Sequence, residues 1–264
     1  MSLCLLLGLL PLLGAAPLGP QTTYVFEQGL DGYTGFADTS LFEESENSGG
    51  GSDGIFSGTN GQLQLRRALL RADLSVIPPG SIITGVSLTL TVDMSGANFG
   101  AVPFGLHRVI ADWGEGGVNG LSGGGFGAPP QPGDATWLST HFQQSHWSAP
   151  GGDYVPAASA TVDAGRAGES ATWSGPGLVA DVQHWLDTPA ENFGWEIISD
   201  EEGVLRHVKK FASSEAATAR PRLVITAAPP PAEVPLHPLA GGGIAVLITF
   251  AALRELRRAS TAAR

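Results

Sequence analysis

The sequence predicts an all-β fold, an antiparallel β-sandwich or jelly roll with one short helix. Glycine and proline account for 37 and 19 of the 264 residues, while charged residues make up only 15%. This composition is typical of short strands joined by many turns. Hydrophobic residues make up 42% of the chain, which is enough for a core and too many for a disordered protein. Long alternation of helices and strands is lacking, which argues against a parallel α/β sheet.

Segments of alternating hydrophobicity supply the strands. In TGVSLTLTVDM, apolar residues alternate with polar ones, and the apolar set is Val86, Leu88, Leu90, Val92 and Met94. This period of two predicts a strand with one buried face. The segment QLQLRRALLRADL also alternates, but its phase shifts between Arg66 and Arg67, which predicts a β-bulge. Further short strands are predicted at residues 39–42, 104–110, 158–163, 193–198, 208–212 and 222–226.

One segment, GLVADVQHWLD, is typical of a helix. Its apolar residues recur three or four positions apart, at Leu178, Val182, Trp185 and Leu186. This spacing predicts a short helix over residues 178–186. Three tryptophans that fall within regular elements are predicted to be core residues: Trp173, Trp185 and Trp195.

Charge and cysteine content narrow the functional classes. The formal net charge is −11 at neutral pH. Because an acidic surface repels phosphate backbones, no nucleic-acid partner is expected. The one cysteine, Cys4, lies in the N-terminal apolar run. If that run is removed, the mature protein has neither thiol chemistry nor a disulfide.

The N-terminal segment, residues 1–20, has the pattern of a secretory signal peptide. An apolar run is followed by small residues, as in the hydrophobic and cleavage regions of such peptides. No Lys or Arg precedes Leu5, and a retained membrane anchor is the alternative. Residues 21–228 are then expected to form the folded domain.

The C-terminal segment has the pattern of a membrane anchor. Residues 229–238 form a proline-rich linker, and residues 239–264 are an apolar stretch with a basic tail. As a helix, residues 239–253 span roughly 22 Å, and counting from Val234 gives about 20 residues, just enough to cross a bilayer. The basic residues that follow are Arg254, Arg257 and Arg258. They favour a cytoplasmic C-terminus, so the domain is expected outside the inner membrane.

The tail begins with the motif VPLHP, which is followed by a predicted short apolar helix and then by RELRR; the motif residues are Val234, Pro235 and Pro238. This order resembles the PEP-CTERM class of bacterial sorting signals. In that class a membrane enzyme, exosortase, cleaves near the motif during surface sorting, so the resemblance implies a sorting protease as a partner. Leu236 and His237 replace the usual Glu–Pro. A plain C-terminal anchor is the alternative.

The segment between the two ends contains a series of blocks in a fixed order: QGLDGYTGFADTSL, RRALLRADLSVIPPGSIITGVSLTLTV, LHRVIADWGEGG, PPQPGDATWL, WSAPGGDY, LVADVQHWLD, NFGWEIISDEEG and KKFASSEAATARPRLVIT. Together these blocks resemble the DNRLRE domain, and the resemblance covers nearly all of residues 22–227. It implies a secreted β-sandwich related to carbohydrate-binding modules, some of which are attached to polysaccharide lyases. Such domains also occur alone on proteins with PEP-CTERM tails. Ser214 replaces an arginine that is common in the family, which weakens the case for a site there.

A long irregular insert, residues 114–152, holds most of the candidate binding residues. Loops of this length in a compact domain are usually functional or flexible. Because flat apolar sugar faces match aromatic rings, the predicted ligand-binding residues are Trp113, Trp137, Phe142 and Trp147. The alternative is that at least one of the tryptophans fixes its loop to the core.

Carboxylates offer a second candidate site. Hard cations bind oxygen ligands, and the predicted ligands of a structural Ca²⁺ are Asp38, Glu43, Glu44, Asp53, Asp200 and Glu201. A solvated acidic loop is the alternative. The segment SDEEG resembles half of a glycosidase carboxylate pair, but nothing nearby supplies the second member. His141 and His146 lack a third metal ligand at a suitable spacing.

Three functions remain open. The first is a non-catalytic, exported surface protein that binds extracellular polysaccharide or serves in cell-surface or matrix adhesion. The second is a purely structural spacer of the envelope or matrix, and the third is a polysaccharide-degrading enzyme. No catalytic residue is predicted, because the sequence has no nucleophile elbow or phosphate-binding loop, and SGGGFG is a flexible glycine run. Only the loop aromatics favour the first function over the second.

Overall fold

The computed structural model of the chain describes residues 20–96, 100–120 and 125–230. These residues all belong to Met1–Pro231, the first of two units into which the chain divides; the second is Ala232–Arg264. They form one α-helix, α1 (Pro176–Asp187), and short 3-10 turns at Leu30–Gly32 and Pro189–Glu191. The strands, in chain order, are β1 (Thr22–Glu27), β2 (Phe36–Phe42), β3 (Gly54–Thr59), β4 (Leu65–Ala72), β5 (Ile82–Ser95), β6 (Val102–Arg108), β7 (Ser139–His141), β8 (Ser145–His146), β9 (Ala160–Ala164), β10 (Ser170–Ser174), β11 (Trp195–Ser199), β12 (Lys209–Ala212) and β13 (Arg222–Ala228).

Eleven of the strands form one large antiparallel sheet. Its order is β1-β13-β5-β12-β3-β4-β11-β6-β9, with β10 paired to β5 and β2 paired to β4 beside this path. The main core draws side chains from both halves of the order, for example Leu90 from β5 and Leu70 from β4. Because these residues belong to one cluster, the sheet must curl around its core. The predicted all-β class is confirmed.

The longest strand, β5, follows its predicted alternation. The four residues predicted to face the core are at most 5% exposed: Val86, Leu88, Leu90 and Val92. The polar residues of β5 point away from the core. One of them, Thr89, forms a hydrogen bond through its hydroxyl to the Thr172 hydroxyl of β10 at 2.9 Å. Met94 departs from the prediction, because it is 53% exposed near the end of the strand.

The bulge predicted in β4 is wrong. β4 pairs with β2 in one continuous register from Arg66 to Ala72. The phase shift in the sequence has another cause, which is that both faces of β4 are buried. Leu70 lies in the main core, while Leu69 packs in a second apolar cluster on the opposite face. A strand that is covered on both faces does not need to alternate.

The predicted helix is confirmed, with two more residues at its start and one at its end. Pro176 occupies its first turn, where the missing N–H costs no hydrogen bond. The buried face of α1 packs on β5. Asp181 is buried on this face, and its carboxylate accepts hydrogen bonds from the Trp195 indole at 2.8 Å and from the Ser159 hydroxyl. The helix is therefore attached to β11 by a polar contact as well as by apolar packing.

Each of the six short strands predicted from sequence overlaps an observed one: β2, β6, β9, β11, β12 and β13. The sequence did not reveal β1, β3 or β10. All six residues of β3 are buried, so this strand has no polar face to produce an alternating pattern. The insert was predicted to be irregular, and it contains the β7–β8 hairpin.

The predictions for the two ends of the chain fall outside the described residues. They concern the signal peptide, the membrane helix and the residues Val234, Pro235, Pro238, Arg254, Arg257 and Arg258. Within residues 20–96, 100–120 and 125–230, no helix is long and apolar enough to cross a membrane.

We expect Leu90→Asp to unfold the domain. Leu90 has no exposed surface, and an unpaired charge at such a position costs several kcal/mol, a large share of the usual free energy of unfolding. Thermal melting followed by circular dichroism measures the effect. Met94→Asp on the same strand is the control and should still melt cooperatively. A soluble Leu90→Asp protein that melts cooperatively would contradict the assignment of Leu90 to the buried face of β5.

Candidate functional site

The insert packs on the face of β4 that points away from the main core. Trp113, Trp137 and Trp147 are 1%, 8% and 6% exposed and form a second apolar cluster with Leu41 and Leu69. The indole N–H of Trp113 donates to the Phe193 carbonyl at 2.8 Å, and that of Trp147 donates to the Thr136 carbonyl at 2.9 Å. These tryptophans therefore fix the insert to the sheet.

This burial corrects the prediction that the three tryptophans are sugar platforms. A ring stacks on a sugar only through an exposed face, and packing in the second cluster covers these faces. The structure therefore favours the alternative in which the rings anchor their loop. Trp173 and Trp195 lie in the main core with Trp185, as predicted.

The remaining predicted aromatic, Phe142, is half-buried in the β7–β8 hairpin. Its backbone N–H donates to the Asp134 carbonyl at 2.7 Å. Both histidines of the hairpin contact serines, His141 to Ser145 at 3.3 Å and His146 to Ser139 at 3.2 Å. The hairpin is therefore held by local contacts.

Arg67 of β4 fastens the insert to the sheet. Its guanidinium makes two hydrogen bonds to the Glu202 carboxylate, at 2.8 and 2.9 Å, and one to the Gly151 carbonyl at 2.9 Å. The same group lies 5.4 Å from the ring centre of Trp137 and 5.2 Å from that of Tyr154. Planar stacking combined with bidentate pairing is a role that lysine cannot fill.

A buried carboxylate lies beside Arg67. Glu196 has no exposed surface, and the nearest cationic atom is the Arg67 guanidinium, 3.8 Å away. Burial raises the pKa of Glu196 well above its usual range, and Arg67 offsets only part of this shift. Gly152, with φ of 113°, covers the carboxylate, and a Cβ there would come within 2.2 Å of one carboxylate oxygen. Only glycine fits this close approach.

A second set of carboxylates lies around Asp38 of β2. Asp38 has no exposed surface, and its carboxylate accepts the Ser214 backbone N–H at 2.8 Å. Its own N–H donates to the Glu115 carboxylate at 2.8 Å. Burial, and then the charge of Glu215, raise the pKa of Asp38 well above its usual range. Burial also raises the pKa of Glu115, to about 7.

The predicted Ca²⁺ ligands are not brought together. Three of them have separate basic partners, in the pairs Glu44–Arg66, Asp53–Lys210 and Glu201–His207, at 2.5, 2.7 and 2.6 Å. Glu43 accepts the Leu65 N–H, Asp200 is exposed, and Asp38 contacts Ser214. Within the part of the chain that the structure describes, no three or more His, Cys, Asp or Glu side chains are arranged to hold a metal ion.

A cleft of about 490 Å³ is the strongest candidate for a binding site. It is mostly apolar, and we call it the Phe126 cleft; the residues that define it are Phe56, Asn60, Arg66, Met94, Phe126, Arg206 and Lys210. Phe126 is 69% exposed, more than any other large hydrophobic residue that the structure describes. An exposed aromatic ring in a concave apolar site is suited to ligand contact.

Arg66 supports the Phe126 ring. Its guanidinium carbon lies 5.3 Å from the centre of that ring and 5.4 Å from the centre of Phe42, with Phe56 at 6.0 Å. The Glu44 carboxylate pairs with the same guanidinium and fixes its position. The backbone carbonyl of Phe126 accepts the Asn47 side-chain amide at 2.7 Å. Phe126 is therefore held by two contacts, one from Arg66 to its ring and one from Asn47 to its backbone carbonyl.

Two more cations, Lys210 and Arg206, line the cleft. Lys210 pairs with Asp53 at 2.7 Å and with Asp93 at 2.8 Å. Burial alone would lower its pKa, but the hydrogen bonds to both carboxylates raise it overall, so the ammonium stays charged. Gly54 makes room for this side chain, because a Cβ there would lie 2.2 Å from a lysine carbon.

Arg206 is the exposed cation of the cleft. Its backbone N–H donates to the Asn60 carbonyl at 3.2 Å, which places it beside the β3–β4 hairpin. The Asn60 side chain holds that hairpin, since its oxygen accepts the N–H groups of Gln62 and Gln64 at 2.8 and 2.9 Å. Among the described residues, Arg206 forms no ion pair, so its guanidinium is available to a ligand.

The chemistry of the Phe126 cleft is that of binding. Its described lining holds two aromatic rings, three cations and an amide, and each nearby carboxylate (Glu44, Asp53, Asp93) is paired with a cation. Sequence reasoning missed the site. Phe126 stands in SGGGFG, where the glycines suggested flexibility; an aromatic residue within such a run was the available signal.

The chain matches no protein-family model, and no curated protein is significantly similar to it.

We expect stability to fall as the pH rises from about 4.5 through about 7, because the folded-state pKa of Glu115 is raised. Below this range Glu115 is protonated in both the folded and unfolded states, and above it the folded state must ionise a shielded carboxyl. Glu115→Gln keeps an oxygen for the Asp38 N–H but cannot ionise. It should raise the melting temperature by on the order of a few degrees at about pH 8 and leave it unchanged at about pH 4. An equal change in melting temperature at both pH values would contradict a raised folded-state pKa for Glu115.

Proposed function

We propose that the protein is an exported, non-catalytic surface protein that binds extracellular polysaccharide. In this proposal it belongs to the DNRLRE type, and its curled sheet is a β-sandwich of jelly-roll topology. A signal peptide precedes the domain, and a membrane-directed sorting tail follows it. The observation that carries the binding proposal is the exposed Phe126 ring in its cleft.

The lining of the Phe126 cleft suits a sugar chain. A pyranose ring has an apolar face that packs on an aromatic ring, and its hydroxyls accept hydrogen bonds from cationic side chains. Phe126 supplies the ring, Met94 extends the apolar surface, and Arg206 supplies exposed donors. Because Arg66 is fixed between its aromatic neighbours and Glu44, the Phe126 ring loses little freedom on binding.

A structural spacer of the envelope or matrix is the second candidate function. The burial of Trp113, Trp137 and Trp147 favours it, because these rings stabilise the domain rather than meet a ligand. A polysaccharide-degrading enzyme is a weaker candidate. Two of the three carboxylates of the predicted acidic turn already have basic partners, because Glu202 binds Arg67 and Glu201 binds His207.

We expect Phe126→Ala to weaken polysaccharide binding about fivefold, the effect of losing a stacking contact of about 1 kcal/mol. The full chain, purified in a detergent without a sugar head group, is first screened on a glycan array. The dissociation constant for the best polysaccharide is then measured by calorimetry. Arg206→Ala should also weaken binding, and neither change should lower the melting temperature, because both side chains are exposed.

Two variants serve as controls for the binding experiment. Leu63→Ala removes an exposed apolar side chain outside the cleft lining and should leave affinity unchanged. Trp147→Ala should lower the melting temperature, because it removes a buried ring and leaves a cavity. A protein that binds no glycan on the array would favour the spacer, whereas binding that is unchanged by Phe126→Ala would exclude the Phe126 cleft as the binding site.

The proposed tail leads to a separate prediction about sorting. An exosortase is expected to cut near Val234, Pro235 and Pro238, so the mature surface form should lack residues 241–264. Without the exosortase the chain should stay in the membrane, with Arg254, Arg257 and Arg258 in the cytoplasm. Mass spectrometry of the C-terminus, in cells with and without the exosortase, shows where the mature chain ends. Intact Arg264 on surface protein from exosortase-containing cells would leave a plain anchor.

A further inference from the structure

The large sheet has an open edge at β1. This strand is the first in the order of the sheet, and among the described strands it pairs only with β13. Outside this pairing, its backbone makes no hydrogen bond to the residues that the structure describes. Because an antiparallel pair uses the backbone groups of alternate residues, about half of the N–H and C=O groups of β1 point to the open edge. A row of unpaired backbone groups is a template for another strand.

The edge at β1 lacks the features that usually prevent pairing, which are proline, lysine and β-bulges. The sequence of β1, TTYVFE, contains neither proline nor lysine, and the strand pairs with β13 in one continuous register. Its first five residues are β-branched or aromatic, the types that favour strands. Its one charged residue, Glu27, is paired with Arg222 at 2.9 Å. The edge of β1 is therefore unprotected, whereas β9, at the other end of the sheet order, carries an exposed Asp163.

The outer face of β1 is suited to contact with an identical surface. Phe26 lies in the main core, so the residues on either side of it in the alternation face outward. Val25 is 36% exposed and lies opposite Val224 of β13, which gives a short apolar row that ends at the open edge. Thr23 lies on one side of this row and Glu27 on the other. An apolar centre between two polar positions is complementary to its own copy about a two-fold axis.

We infer that β1 pairs antiparallel with β1 of a second copy of the chain, about a two-fold axis at Val25. This register places Val25 opposite Val25 of the second copy and Thr23 opposite Glu27. The two apolar rows then join across the interface, and the two Glu27 side chains stay apart. An axis at Tyr24 or Phe26 would instead place the valine opposite a threonine or a glutamate. Because the contact uses the open edge of both copies, assembly stops at a dimer.

The expected dimer is weak. A single strand pair is smaller than the roughly 1,200–2,000 Å² interfaces of stable complexes. Pairing therefore requires a high local concentration, such as that of chains held on one surface. The inference rests on the edge of the sheet and is independent of polysaccharide binding at the Phe126 cleft.

The experiment traps the dimer with a disulfide in the full chain, kept in detergent. All variants carry Cys4→Ser, which removes the one native cysteine. Opposite residues of an antiparallel pair have Cα atoms about 4.5–5.5 Å apart, within the range for a disulfide. On mild oxidation, Val25→Cys should give a covalent dimer, followed by non-reducing electrophoresis. Thr172→Cys, exposed on β10 away from the edge, is the control for chance encounters within one micelle.

Further cysteines test the register. Thr23→Cys alone and Glu27→Cys alone place the two cysteines of a dimer at least about 13 Å apart, so neither should exceed the control. The double variant with both changes should cross-link, because each cysteine then faces the other type across the axis. Adding Val25→Lys to the double variant should lower the yield about two- to fivefold, because like charges directly opposite repel. It should leave the melting temperature unchanged, since Val25 is on the surface.

Val25→Cys should cross-link at least about fivefold faster than Thr172→Cys, because paired cysteines have a high effective concentration. Equal rates would overturn the inference. Cross-linking of Thr23→Cys alone that is as fast as that of Val25→Cys would overturn the axis at Val25. Phe126→Ala should change none of these rates, so failure of the dimer and failure of the proposed function are distinguishable.

Discussion

Burial of both faces of β4 is the constraint on which the rest of the structure depends. One face completes the main core, and the other carries the insert through Leu69 and the second apolar cluster. A charged residue on a doubly covered strand must find most of its partners inside the protein, since it has little contact with water. Arg67 meets this requirement with a carboxylate, a carbonyl and two aromatic rings. The position of the insert follows from those contacts.

Burial also leaves two carboxyl groups, those of Asp38 and Glu196, with too few hydrogen-bonding partners. Asp38 and Glu196 are fully buried, yet each has an oxygen without a hydrogen bond among the described residues. In both cases burial is the largest cause of a raised pKa. These groups hold protons more readily in the folded state than in the unfolded state, so each of them stabilises the fold less as the pH rises. Both carboxyl groups lie beside residues of the insert, Glu196 next to Gly152 and Asp38 next to Glu115.

Much of the fold was predictable, because β5 and α1 have one buried and one exposed face. The period of apolar residues then reports the type of element, and Leu90 and Leu178 lie in the core as the period requires. This signal disappears where both faces are covered, which explains the missed strand β3 and the bulge wrongly predicted in β4. The candidate site was less predictable. A tryptophan in a loop has the same local sequence whether it packs on a sheet or faces solvent, so Trp137 and Phe126 could be distinguished only by tertiary structure.

The pairing of β1 with β13 has a consequence for how the chain folds. Thr22 lies opposite Ala227, so the first and last strands are neighbours. β13 also separates β1 from β5, and it is the last of the described strands to be synthesised. Until it arrives, β1 has no partner in the sheet, and the loop that must close spans nearly the whole domain. Cooperative closure is therefore delayed until the C-terminal strand is released, and a chain truncated before residue 222 would expose the edges of both β1 and β5.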